Sequence, residues 1–184
     1  MLWTQLVDLV LLLSGLILAA IAVSALTARQ ASAEDGALMP PFFVIDFAGL
    51  LLVGPNEAML VAAAGAATRG LVDPQSVNPI RRGMTSGATA IVALQSAGIV
   101  YHVVGGTIGD FNWPWGALPL GGAIVAYCVA KRIAADVLVP MMSGEDRREQ
   151  SWSAIITACP HYVIGASISV LLVELIEQRF RIRP

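Results

Sequence analysis

Long apolar segments limit what this chain can fold into more than any other feature of its sequence. A transmembrane helix needs about 20 apolar residues to cross a hydrocarbon core of ~30 Å. Six apolar segments fill most of the 184 residues, at about 2–26, 42–53, 57–68, 83–104, 115–142 and 153–175. Only 13% of the residues are charged, against roughly a quarter in soluble domains. The sequence predicts one all-α integral membrane domain over residues 1–184, a polytopic bundle of about six helices, and argues against a soluble enzyme, a disordered tail and a nucleic-acid binder.

The second and third segments are short and meet at Gly54-Pro55-Asn56, a combination that ends one helix and begins the next. Two abbreviated helices joined by a tight turn are the simplest interpretation, and a single broken span is the alternative. Irregular backbone at membrane depth requires surrounding protein or a cavity. Either version therefore places this hairpin, within residues 42–68, inside the bundle.

Arginines in the short loops predict the orientation, because they favour the cytoplasmic side. If all six segments cross, one side of the membrane holds Arg29, Arg69, Arg81, Arg82, Arg147 and Arg148. We therefore expect a multi-pass protein of the bacterial inner membrane, with its N-terminus and its 105–114 loop outside. Six crossings also place Arg179, Arg181 and Arg183 outside, against the rule. The first segment has no preceding Lys or Arg and contains Asp8, so we expect a retained helix rather than a signal peptide.

Charged residues within the fifth segment are the first candidates for a site. A charge at mid-bilayer costs at least ~2.5–3.5 kcal/mol, so Lys131 and Arg132 should face the bundle interior and find partners. Arg132 and Asp136 have the i,i+4 spacing of a helical ion pair, and Asp46 and Glu57 are further candidate partners. The functional interpretation is a site for an anionic ligand or a lipid headgroup. The alternatives are an internal ion pair, or a helix that ends early with both cations at the cytoplasmic interface.

Metal and catalytic chemistry find little support. His161 follows Pro160 in the sixth segment and could ligate a metal, haem or pigment magnesium, but no second ligand stands at a suitable spacing. We favour a structural hydrogen bond for His161 and expect no cofactor. Cys128 and Cys159 lie in apolar runs and indicate neither a disulfide nor a thiolate cluster. No metalloprotease, phosphate-loop or nucleophile-elbow motif occurs, so we expect a non-catalytic protein.

Small residues four positions apart allow helices to approach closely. Such pairs are Gly83 and Gly87, Gly15 and Ala19, and Ala66 and Gly70. They pack either the chain's own bundle or a neighbouring subunit.

The stretch from Arg81 to Gly106 contains Ala97-Gly98-Ile99-Val100-Tyr101 followed by Gly105-Gly106. It resembles a helix of bacterial membrane sensor regions that precede diguanylate cyclase, HD-type phosphodiesterase or histidine kinase domains. Those regions are distantly similar to the substrate-binding subunits of energy-coupling-factor transporters. The resemblance, which includes the Gly54-Pro55 hairpin and the Tyr127 helix, spans about residues 40 to 175 and implies a membrane-embedded sensor, here expected to lack the output domain.

Two functional hypotheses remain. The first is a membrane-embedded sensory or ligand-binding module without its own effector. The second is an accessory subunit of a larger membrane complex, for example an energy-transducing or photosynthetic assembly. The partners expected are the lipid bilayer together with a membrane protein or a second copy of the chain, and no nucleic acid.

Overall fold

A computed structural model describes residues 2–30, 42–72, 78–108, 115–143 and 153–181. In these ranges the chain forms six helices and no β-strand. The helices are α1 (Leu2–Gln30), α2 (Phe42–Leu52), α3 (Pro55–Val72), α4 (Pro79–Val103), α5 (Ala117–Ser143) and α6 (Ser153–Arg181). The all-helical fold class predicted from the apolar segments is confirmed.

Among the residues that the structure describes, three helices are long and apolar enough to cross a membrane. The qualifying spans are Leu9–Leu26, Pro79–Val103 and Ala117–Val137, and shorter apolar helices cover Phe43–Leu52 and Tyr162–Ile176. Because this length and composition suit a hydrocarbon core, the chain is a membrane protein.

The turn between α2 and α3 follows from Gly54 and Pro55. Gly54 adopts a φ of +98°, which glycine tolerates without strain. Pro55 is the first residue of α3, where its missing N–H is not needed. The structure thus has two helices rather than a single broken span, but only α2, with 11 residues, is short. α3 has 18 residues and extends beyond the predicted segment 57–68 at both ends. Both helices pack inside the bundle, since Phe43, Phe47 and Ala62 are fully buried.

The end of α4 is set by Gly105, whose φ is +96°. The N–H of Gly106 donates to the carbonyl of Tyr101 at 2.8 Å, and the N–H of Gly105 donates to the backbone carbonyl of His102 at 3.0 Å. These two bonds form a Schellman motif, which satisfies carbonyls at the helix end.

The core lies where α2, α3, α4 and α5 meet. α3 packs along α4, α4 packs along α5, and α1 packs on α3. α2 contacts both α3 and α6, and the Ser169 hydroxyl of α6 donates to the Val44 carbonyl of α2 at 2.9 Å. This arrangement packs the rings of Phe43 and Phe47 of α2 against Tyr127 of α5, which lines the site described next.

Candidate functional site

A cavity of about 240 Å³ lies between α3, α4 and α5. Its lining residues are Ala66, Arg69 and Gly70 of α3, Arg82, Ser86, Thr89 and Ala90 of α4, and Tyr127 and Lys131 of α5. Within each helix, the later lining residues follow the first lining residue by three, four, seven or eight positions. This is the spacing of residues on a single helical face. Three helical faces therefore converge on one space.

Positive charge dominates the cavity wall. Arg69 comes from the last turn of α3, Arg82 lies near the start of α4, and Lys131 lies near the middle of α5. No acidic side chain is among the described residues that line the cavity. Guanidinium groups present several N–H donors in a planar fork, so this wall is suited to hold an anion.

Glycines bring α3 and α4 together beside the cavity. A Cβ atom built on Gly70 would come within 2.5 Å of the Gly83 Cα atom. Gly87 faces the Ala63 carbonyl of α3, and both Gly83 and Gly87 are buried. These glycines therefore pack within the chain. Gly15 of the other predicted pair is exposed, Ala19 is half-buried, and a Cβ on Gly15 would meet nothing within 4 Å.

Tyr127 is a fully buried residue of the cavity wall. Its ring packs edge-on against Phe43 at 5.1 Å and Phe47 at 5.6 Å, and tilted against Tyr162 at 6.1 Å. Its hydroxyl makes no hydrogen bond with any described residue. Buried polar groups in native proteins are nearly always hydrogen-bonded, so this hydroxyl is an exception within the core.

Lys131 is shared between the cavity and the core. Its Nζ atom lies 5.4 Å from the centroid of the Tyr127 ring and 5.9 Å from that of Tyr162, within the range of cation–π attraction. It also interacts electrostatically with Asp46. Asp46 is fully buried, and neither of its carboxylate oxygens forms a hydrogen bond with a described residue. Lys131 is therefore an electrostatic partner of this buried acid.

Arg132, Asp136 and Glu57 are not among the residues that line the cavity. Arg132 and Asp136 form an ion pair, with Nε and Oδ2 3.1 Å apart and the two side chains 15% and 35% exposed. Glu57 lies in the first turn of α3, at the opposite end of that helix from Arg69. His161 lies within α6, and its side chain is outside the described part of the structure. Among described residues, no three His, Cys, Asp or Glu side chains are placed to hold a metal ion.

Sequence reasoning selected Lys131 but missed most of its neighbours. Arg69 and Arg82 served only to predict orientation, although each lies on a helix face with other cavity residues. Tyr127 precedes Lys131 by one helical turn, and this spacing is the signal that could have joined them.

Comparison of the sequence with protein-family models, curated proteins and solved structures finds no match.

Proposed function

We propose that this protein is a membrane-embedded ligand-binding or sensory module that binds an anion between α3, α4 and α5. The observation that supports this most directly is the convergence of Arg69, Arg82 and Lys131 on one cavity of about 240 Å³. Ligand sites are typically concave, with a few polar groups that converge from several elements. The wall described above has this character, and its charge specifies an anion.

The depth of the cavity fits an anion that enters from a polar surface. Arg82 and Thr89 are seven residues apart, which is ~10 Å along α4 at 1.5 Å per residue. The whole of α4, with 25 residues, is ~37 Å long by the same rise. The cavity thus occupies the part of α4 nearest its N-terminal end, within reach of headgroups and of water beyond them.

The proposed topology places this end of the bundle on the cytoplasmic side of a bacterial inner membrane. Arg69, Arg81 and Arg82 flank the connection between α3 and α4, and arginines in short loops favour the cytoplasm. Six crossings then put the N-terminus outside. An anionic ligand would accordingly reach the cavity from the cytoplasm or from the inner leaflet.

The accessory-subunit hypothesis receives less support. A small-residue face that contacts a neighbouring protein would favour it. Gly83 and Gly87 pack against α3 of the same chain, whereas Gly15 is exposed on α1. The hypothesis therefore serves as an alternative outcome of the experiment below.

Native mass spectrometry of the protein purified in a neutral detergent tests the proposal. We expect the wild type to retain a small anionic molecule, the Lys131→Met variant to lose it, and the Arg132→Met variant to keep it. Arg132 is the matched control because it adjoins Lys131 in sequence but pairs with Asp136 outside the cavity wall. A wild type that carries no small molecule and instead purifies in fixed stoichiometry with another membrane protein would contradict the proposal and support the accessory subunit.

A further inference from the structure

We infer that the cavity binds its anion together with a proton, and that the buried carboxyl group of Asp46 holds this proton. The inference rests on the proposed function, because it requires an anion at the cavity wall. It adds a second binding site, for a proton, in the core behind that wall, and it makes anion binding dependent on pH.

Asp46 lies on the buried face of α2. Phe43 is three positions before it and Leu50 four positions after it, and both are buried, as expected of residues on one helical face. Both carboxylate oxygens of Asp46 are buried and accept no hydrogen bond from a described residue. A buried carboxylate in such surroundings is costly, and the group tends to become neutral unless a cation compensates its charge.

Lys131 is a cation that compensates Asp46, and it is also a residue of the cavity wall. With the cavity empty, the ammonium and the carboxylate together carry no net charge. The net charge is the same if the proton of Lys131 moves to Asp46. In either form the two side chains together hold one dissociable proton.

An anion at the wall changes this balance, because the anion and the Asp46 carboxylate would then share one ammonium. Negative charges that share a site disfavour each other. If Asp46 takes up a proton, Lys131 keeps its whole charge for the anion, and the core no longer contains a carboxylate. The pair then holds two protons instead of one. One proton from water thus accompanies each negative charge that Lys131 binds, and the net charge of the site is conserved.

Neighbouring side chains on α5 and α6 do not account for this proton. Tyr127 interacts electrostatically with Asp46, and the ring centroid of Tyr162 lies 5.9 Å from the Nζ atom of Lys131. Phenols ordinarily ionise near pH ~10. Cys128 interacts electrostatically with Lys131, and thiols ordinarily ionise near pH ~8.5. These groups therefore stay protonated at and below neutral pH, with or without an anion.

The other helices packed against α2 contribute cations of fixed charge to this region. Arg69 of α3 interacts electrostatically with Lys131, and Arg82 of α4 lines the cavity. Guanidinium groups keep their charge throughout the accessible pH range. α1 has no titratable residue among its described side chains. Asp46 and Lys131 are therefore the groups expected to change protonation when an anion binds.

Isothermal titration calorimetry of the detergent-solubilised protein with sulfate tests the inference between about pH 5 and 8, below the ordinary range of a thiol. Sulfate is the probe because its own charge does not change in this range. The ionic strength is held constant because salt screens charges. We expect the dissociation constant to rise with pH, by up to about tenfold per unit, which is the slope for uptake of one proton. Titrations in two buffers of different protonation enthalpy count the protons directly.

Asp46→Asn removes the proton site and nearly preserves the shape of the side chain. We expect this variant to bind sulfate without proton uptake, with an affinity that does not change with pH and that exceeds the wild-type affinity at pH 8. Asp136→Asn is the matched control, because Asp136 pairs with Arg132 and does not line the cavity. It should keep the pH dependence of the wild type. The proton count for the wild type depends on no variant, so it tests the inference even if Asp46→Asn does not fold.

Three results would count against the inference. Sulfate binding by the wild type with no proton uptake, and with one affinity across the pH range, would overturn it and leave the anion site standing. Proton uptake that persists in Asp46→Asn would show that another group holds the proton. Absence of sulfate binding by the wild type and by Asp46→Asn at every pH would reject both the inference and the anion site of the proposed function.

Discussion

Replacing Gly70 with alanine tests how closely α3 and α4 must approach to build the cavity. The new Cβ atom would lie 2.5 Å from the Gly83 Cα atom and 2.6 Å from its nitrogen, whereas carbon atoms in contact prefer about 3.5–4.0 Å. Both obstructing atoms belong to the backbone, so a side-chain rotation cannot relieve the clash. The two helices must separate by about 1 Å, and overpacking of this kind costs ~1–3 kcal/mol.

The control is Gly121→Ala in α5, because a Cβ there meets nothing within 4 Å. Both variants gain the helix propensity of alanine over glycine, ~1 kcal/mol, so the difference between them isolates the packing cost. We expect Gly70→Ala to unfold ~1–3 kcal/mol more easily than Gly121→Ala, measured by circular dichroism during titration with sodium dodecyl sulfate in mixed micelles. Equal stability of the two variants, or greater stability of Gly70→Ala, would refute the close approach.

Three further predictions use other parts of the molecule. Tyr127→Phe should leave the stability of the ligand-free protein unchanged or increase it by ~1 kcal/mol, because it removes a buried donor with no described acceptor; a clear loss in thermal denaturation would show that the hydroxyl has an internal partner. Arg132→Leu should destabilise the protein by ~1 kcal/mol, since Asp136 would lose its partner, and an unchanged melting temperature would show that the pair contributes nothing. Cysteine placed at Asn78, with Cys128 and Cys159 replaced by serine, should react with a membrane-impermeant thiol reagent only from the cytoplasmic side, and labelling from outside would reverse the proposed orientation.

The helices could be predicted because their signals are local. The apolar segment at 42–53 and the Gly54-Pro55 turn are enough to define α2 (Phe42–Leu52) and the start of α3. The ion pair of Arg132 and Asp136 likewise depends only on a spacing within one helix. Each of these features is determined by residues close together in the sequence, so no knowledge of the tertiary packing is required.

The cavity could not be predicted in the same way, because it depends on how each helix is rotated about its axis. Lys131 and Arg132 are adjacent cations, about 100° apart around α5 at 3.6 residues per turn, and either could have faced the interior. Lys131 faces the cavity because Tyr127, one turn earlier, is packed among the rings of Phe43 and Phe47. That choice is made by contacts with α2, which periodicity within α5 does not contain.

The buried Asp46 carboxylate, the Lys131 ammonium and the rings of Tyr127 and Tyr162 form one group of interacting side chains beside the cavity. An isolated buried carboxylate would be very costly, yet Asp46 is buried among apolar side chains and interacts electrostatically with Lys131. The aromatic rings of Tyr127 and Tyr162 hold the Lys131 ammonium near the cavity wall. The same cation therefore acts both on the buried carboxylate of Asp46 and on the cavity. An anion in that space would therefore compete with Asp46 for Lys131. In the proposed function, ligand binding at the cavity wall would thus be coupled to charge compensation in the core through the Lys131 side chain.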